Sequence, residues 1–143
     1  MIRTHAEMVF RKEVDNVISE ECLFTWHEDR IISPGVPDLH YVCKNGDFRV
    51  GWLELKAIHK FGDGKRIHVE PSQHQYMRKW GAAMPIHFLI KVGKNIYLIP
   101  SSASREVAMA TDEFYLAAAS VSKFTMGDDF HTLPHTLREI TRI

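Results

Sequence analysis

Two strand-like runs, PDLHYVCK at 37–44 and FRVGWLELKA at 48–57, follow one another with only Asn45, Gly46 and Asp47 between them. Aromatic and β-branched residues favour extended chain, and Asn-Gly between such runs is a strong hairpin signal. Apolar residues fill alternating and non-alternating positions of both runs. Strands of that kind are covered on both faces, which places the hairpin inside a sheet flanked by helices. Glu54 and Lys56 interrupt the second run. Residues two apart in a strand share a face, so this carboxylate and ammonium project side by side. Burying them is costly unless each has a partner or a task; otherwise the strand lies at an edge with its polar residues in water.

The flanking chain supplies the helices. Residues 5–21 space Phe10, Val14, Val17 and Ile18 as one helical face, with good helix formers between them. CLFTWHE at 22–28 is predicted as a strand, and SPG at 33–35 breaks the chain before Pro37. Residues 58–70, with Gly62, Asp63 and Gly64, are predicted to form an exposed, mobile loop. Pro71 suits the first turn of a helix, PSQHQYMRKWGAA, that ends near Gly81. IHFLIKV and IYLIP, separated by Gly93, Lys94 and Asn95, are predicted as a second hairpin, and DEFYLAAASVSKF at 112–124 as a helical stretch before an ill-defined tail. The order helix, three strands, helix, two strands is that of a single α/β sandwich domain, with a core over about 5–100 and a C-terminal extension at 101–143.

Asp38, at the start of the first run, lies across from Glu54 in one of two registers. A two-residue loop at Asn45 and Gly46 pairs Asp38 with Leu53 and turns it to the wrong face. A three-residue loop that includes Asp47 pairs it with Glu54, and a bulge at Gly51 is a second remedy. Two carboxylates on facing strands bind a hard divalent cation through oxygen, and a lysine beside them can position water near a scissile phosphate.

Eighteen Lys+Arg balance eighteen Asp+Glu, but their distribution is uneven: residues 44–94 carry ten basic and four acidic residues, a net +6. Such a segment is compatible with a nucleic-acid partner. Cys22 and Cys43 show no zinc or C-x-x-C spacing, no signal peptide is read at the N-terminus, and no apolar run approaches a membrane span. A reduced, cytoplasmic setting is expected. His131 and His135 are four apart but lack a third ligand or an H-E-x-x-H pattern, which leaves zinc unsupported.

The spellings GVPD and, about fifteen residues on, ELK resemble the signature of the PD-(D/E)XK nucleases. VPDLHYV, WLELKA and the helix opening P-x-Q in PSQHQYMRKWGAA are similar to the VRR-Nuc and phage Holliday-junction-resolvase branches. The resemblance implies a restriction-endonuclease-like αβββαβ core with a mixed sheet. By position it makes Asp38 and Glu54 metal ligands together with the Leu55 carbonyl, Lys56 the catalytic lysine, and Gln73 a residue that orients Lys56 or contacts phosphate. A helix glutamate often joins such sites; Glu7 is the first choice on helical phase, Glu13 the second, and Glu21 lies at the helix end.

The implied activity is magnesium-dependent hydrolysis of DNA phosphodiesters, with manganese as a substitute, leaving 5′-phosphate and 3′-hydroxyl ends. Branched DNA is the expected substrate and a homodimer the expected unit, since a twofold axis supplies two symmetric incisions. Its contact is placed at DEFYLAAASVSKF and the second hairpin, because Phe114, Tyr115, Leu116, Val121 and Phe124 exceed what the core needs. Ser33 stands where resolvases carry a small residue near the cleaved strand; Arg30, Lys60, Lys65, Arg66, Arg78 and Lys79 are candidate backbone contacts. The alternatives are a flap, repair or restriction-like nuclease of the same chemistry, and a non-catalytic nucleic-acid-binding protein that retains the fold.

Overall fold

In a computed structural model that describes residues 3–28 and 34–143, the chain forms one six-stranded mixed sheet with helices on both faces. The order begins α1 (His5–Ile18), β1 (Cys22–Trp26), β2 (Leu39–Cys43), β3 (Gly51–Ile58), α2 (Pro71–Trp80) and β4 (Ile86–Val92). It continues with β5 (Asn95–Pro100), α3 (Ser104–Met109), α4 (Glu113–Ala119), β6 (Ser122–Thr125) and α5 (Leu133–Thr141). Strands lie in the sheet in chain order, and every neighbouring pair is antiparallel except β3 and β4. Parallel neighbours need a crossover, and α2 supplies it.

The period of two decides which side chains go where. Leu39, Tyr41, Leu53, Leu55 and Leu89 point to one face and meet Phe10, Val14 and Ile18 of α1 with Leu133 and Leu137 of α5. Phe88, Ile90, Tyr97 and Ile99 point to the other, under Met77 of α2, Val107 of α3 and Leu116 of α4. Helix α1 starts where the Thr4 hydroxyl accepts from the Glu7 N–H at 3.2 Å. Helix α2 starts with Pro71 in its first turn and stops at Gly81, whose N–H reaches the Met77 carbonyl at 2.8 Å.

Several expectations are corrected. The β2–β3 connection is not a tight three-residue loop, because Arg49 N–H donates to the Thr141 carbonyl at 2.8 Å and Ile143 N–H to the Asp47 carbonyl at 3.2 Å. The C-terminus captures the backbone groups that a tight hairpin needs for itself. Gly51 pairs in register with Tyr41 and makes no bulge; a Cβ there lies 2.4 Å from the Tyr41 ring, so glycine makes room for that buried side chain.

The loop after β3 is not wholly exposed, since Ile67 and Val69 are buried beneath α2. The second hairpin turns on Gly93 and Lys94 alone, with Asn95 already paired to Val92. DEFYLAAASVSKF is not one helix: α4 stops at Ala119 and the remainder becomes edge strand β6. The tail forms α5, whose Leu133 and Leu137 complete the core, so the extension is part of the sandwich. Cys22 and Cys43, distant in sequence, face each other across β1 and β2 with sulfurs 3.9 Å apart.

Candidate active site

Register builds the site. Leu39 pairs with Leu53, and continuing this register by one residue sets Asp38 across from Glu54. Asp38 Oδ2 accepts from the Leu55 N–H at 2.7 Å, which ties the start of β2 to the centre of β3. The loop that delivers Asp38 is pinned to α2: Gly35 has φ +83°, and a Cβ there falls 2.2 Å from the Ser72 carbonyl oxygen. Glycine is required at that point both for the backbone angle and for the close approach.

Glu54 and Lys56 project from β3 on the face that α2 covers, with Lys56 Nζ 3.3 Å from Glu54 Oε2. Gln73, in the first turn of α2, is 1 % exposed and closes the cluster. Its Nε2 donates to Glu54 Oε2 at 2.7 Å, and its Oε1 accepts from Lys56 Nζ at 3.0 Å and from the Glu70 N–H at 3.0 Å. Only this amide orientation sets a donor against the carboxylate and an acceptor against the ammonium. Both charged groups are thus buried with charge-assisted hydrogen bonds, the condition under which such burial is tolerable.

Further side chains gather beside the site that the sequence reading did not include. Arg3, just before α1, reaches Asp38 Oδ1 at 3.4 Å and Glu28 Oε2 at 3.3 Å, and Arg11 bonds the same Glu28 at 2.8 Å. His27 and His40 share a hydrogen bond of 2.7 Å, and their rings lie 5.3 and 5.1 Å from the Trp52 ring. Burial lowers the His27 pKa, His40 adds to that, and Asp38 opposes it. The signal for His40 and Trp52 was legible: each stands two residues from a carboxylate, on the same face of its strand.

The helix glutamates are placed differently from one another. Glu7 is half-buried and its Oε1 accepts from the Thr4 hydroxyl at 3.2 Å. Glu13 is ion-paired to Lys91 at 2.7 Å and Glu21 to Arg138 at 3.3 Å, both away from Asp38. Among the described residues no three His, Cys, Asp or Glu side chains gather as a metal cluster. Lys60, Lys65 and Arg66 are exposed on the β3–α2 loop, and Arg78 and Lys79 on the last turn of α2, with Lys79 over the Trp80 ring. Arg30 and Ser33 lie outside the described residues.

Neither a family model nor a curated protein sequence matches the chain. A solved structure does. The fold is similar to that of Hjc, a Holliday junction resolvase from the archaeal hyperthermophile Archaeoglobus fulgidus. The TM-score is 0.54 at 10 % sequence identity, over 79 % of this chain and 93 % of that one. At that identity the likeness is one of fold, and it agrees with the mixed sheet flanked by helices described above. No helix among the described residues is long and apolar enough to cross a membrane.

Proposed function

We propose that the chain is a metal-dependent, structure-specific DNA endonuclease that resolves four-way junctions, leaving 5′-phosphate and 3′-hydroxyl ends. The observation that carries this reading is the convergence of buried Asp38, Glu54, Lys56 and Gln73 on one sheet face. Structural burial of isolated apolar strands does not call for two carboxylates, an ammonium and an amide in a single cluster.

The donor set fits a hard divalent ion. Asp38 and Glu54 offer carboxylate oxygens from facing positions, and the Asp38 bond to the Leu55 N–H keeps the peptide of Leu55 beside them. Magnesium binds through one or two carboxylates and keeps several waters, so two carboxylates and the Leu55 carbonyl suffice, with Glu7 as a further candidate and manganese as a substitute. Bound there, the ion supplies Lewis-acid stabilisation of charge gathering on the phosphate. Lys56 has three N–H donors; Gln73 and Glu54 engage two, and the third serves the attacking water or a phosphate oxygen. Gln73 fixes the lysine's position. The working unit is a homodimer: Leu116 and Phe124 are spent in the core, but Phe114, Tyr115 and Val121 remain exposed near the β6 edge.

The test is incubation with a mobile four-way junction, a 5′ flap and linear duplex, with and without magnesium, followed by mapping of cuts. Paired symmetric nicks in the junction are expected with magnesium or manganese, and binding without turnover with calcium, which takes more ligands at longer distances. Robust cleavage in EDTA, or none on any substrate with magnesium, overturns the reading.

A further inference from the structure

On the flank of α2 away from the buried cluster runs a groove of about 900 Å³, closed on its other side by the turn at Ser101–Ala103 and by α3. No part of the site just described explains it. His74 and Arg78, four apart on α2, line one wall. Ser101, Ser102, Ser104 and Arg105 line the other, and His74 Nδ1 bonds the Ser104 hydroxyl across it at 3.0 Å. A guanidinium from one wall, Arg78, and hydroxyls with a second guanidinium, Arg105, from the other form the donor set that proteins turn toward phosphate oxygens. The groove shares α2 with the buried cluster: His74 in its wall follows Gln73, which holds Lys56.

We propose that this groove is a second phosphate site, in which Arg78, Arg105 and the serine hydroxyls grip the DNA backbone as it leaves the scissile phosphate. The proposal rests on the nuclease reading and adds to it the path of the strand. Charge complementarity favours nucleic acid over other occupants. The His74 pKa is lowered by burial first and then by the charges of Arg78, Arg105 and Lys56. Glu106 is the sole carboxylate among the lining residues. Arg78, Arg105 and Glu106 are all exposed side chains, so replacing them leaves the core untouched.

The experiment measures binding of a four-way junction and a linear duplex in EDTA, by fluorescence anisotropy over a range of salt, alongside junction cleavage in magnesium. Arg78→Ala and Arg105→Ala are each expected to weaken binding uniformly across sequences and to reduce the slope of log K against log[salt] by about 0.9, and the double variant by about 1.8. Glu106→Lys is expected to tighten binding and steepen the slope. If wild type binds and cleaves while the double variant keeps the wild-type slope and Glu106→Lys binds no more tightly, the groove is refuted and the nuclease reading stands. If wild type neither binds nor cleaves, both fall.

Discussion

His87 sits on β4 beside Leu53 of β3, 8 % exposed, and its Nδ1 has no hydrogen-bond partner among the described residues. Burial pushes its pKa down from 6.5 to about 4, because an imidazolium there loses its water and gains nothing in return. The unfolded chain takes up a proton as the pH falls through about 6.5, while the folded chain resists until about 4, so acid removes stability in that window. The loss is about 2 kcal/mol at pH 5 and levels off near 3.4 kcal/mol below pH 4, on the order of 1.36 kcal/mol per pKa unit. His87→Leu keeps an apolar-compatible volume and abolishes this linkage. Urea denaturation at about pH 7.5 and pH 5 should show wild type losing about 2 kcal/mol more than the variant between the two conditions. Equal losses, or a His87 ring proton titrating near 6.5 by NMR, refute the argument. The practical consequence is that cleavage assays belong above about pH 7, where the His87 linkage takes almost nothing from the stability of the fold that carries Glu54 and Lys56.

Asp38→Asn, Glu54→Gln and Lys56→Ala should each abolish magnesium-dependent cleavage while leaving DNA binding largely intact; retention of a rate within about tenfold of wild type would remove the assigned site. Gln73→Leu deletes the acceptor of Lys56 and a donor to Glu54, each such bond contributing about 1.5–3 kcal/mol, and should lower kcat by about 10- to 100-fold with little change in KM; an unchanged kcat assigns Gln73 to folding alone. Backbone bonds from Lys44 to Glu21 and from His27 to Asp38 make Cys22 and Cys43 a non-hydrogen-bonded pair, with Cα atoms about 4.5 Å apart and within disulfide reach. The Cys22 S–H donates to Cys43, lowering the Cys43 pKa to about 7 and holding the proton on Cys22, so diamide should form an intramolecular disulfide faster as the pH rises through about 7; full alkylation of both thiols after treatment counts against it. Sedimentation at micromolar concentration should give a dimer that Phe114→Ser and Val121→Ser dissociate; a monomer mass unchanged by junction DNA removes the dimer.

The order of elements from α1 to β5 was legible because each signal is local: helical spacing of Phe10, Val14 and Ile18, dense apolar strands, and Pro71 opening α2. Period two alone joined Glu54 to Lys56, and the register that sets Asp38 opposite Glu54 was one of two that sequence allowed. That register is the one found, and the C-terminal backbone at 141–143 takes the hydrogen bonds of Asp47 and Arg49. The extension was misread for a related reason. Ser122–Phe124 carries no strand signal of its own and becomes extended because β5 offers an open edge, and α5 is ordered by a core assembled from distant residues. Arg3 at Asp38, Gln73 between Glu54 and Lys56, and the groove between α2 and α3 are likewise contacts across long stretches of chain. Local propensity sets the residues that form an element and the face they share; which elements meet, and hence which charges meet, depends on how the apolar faces of the whole chain are buried together.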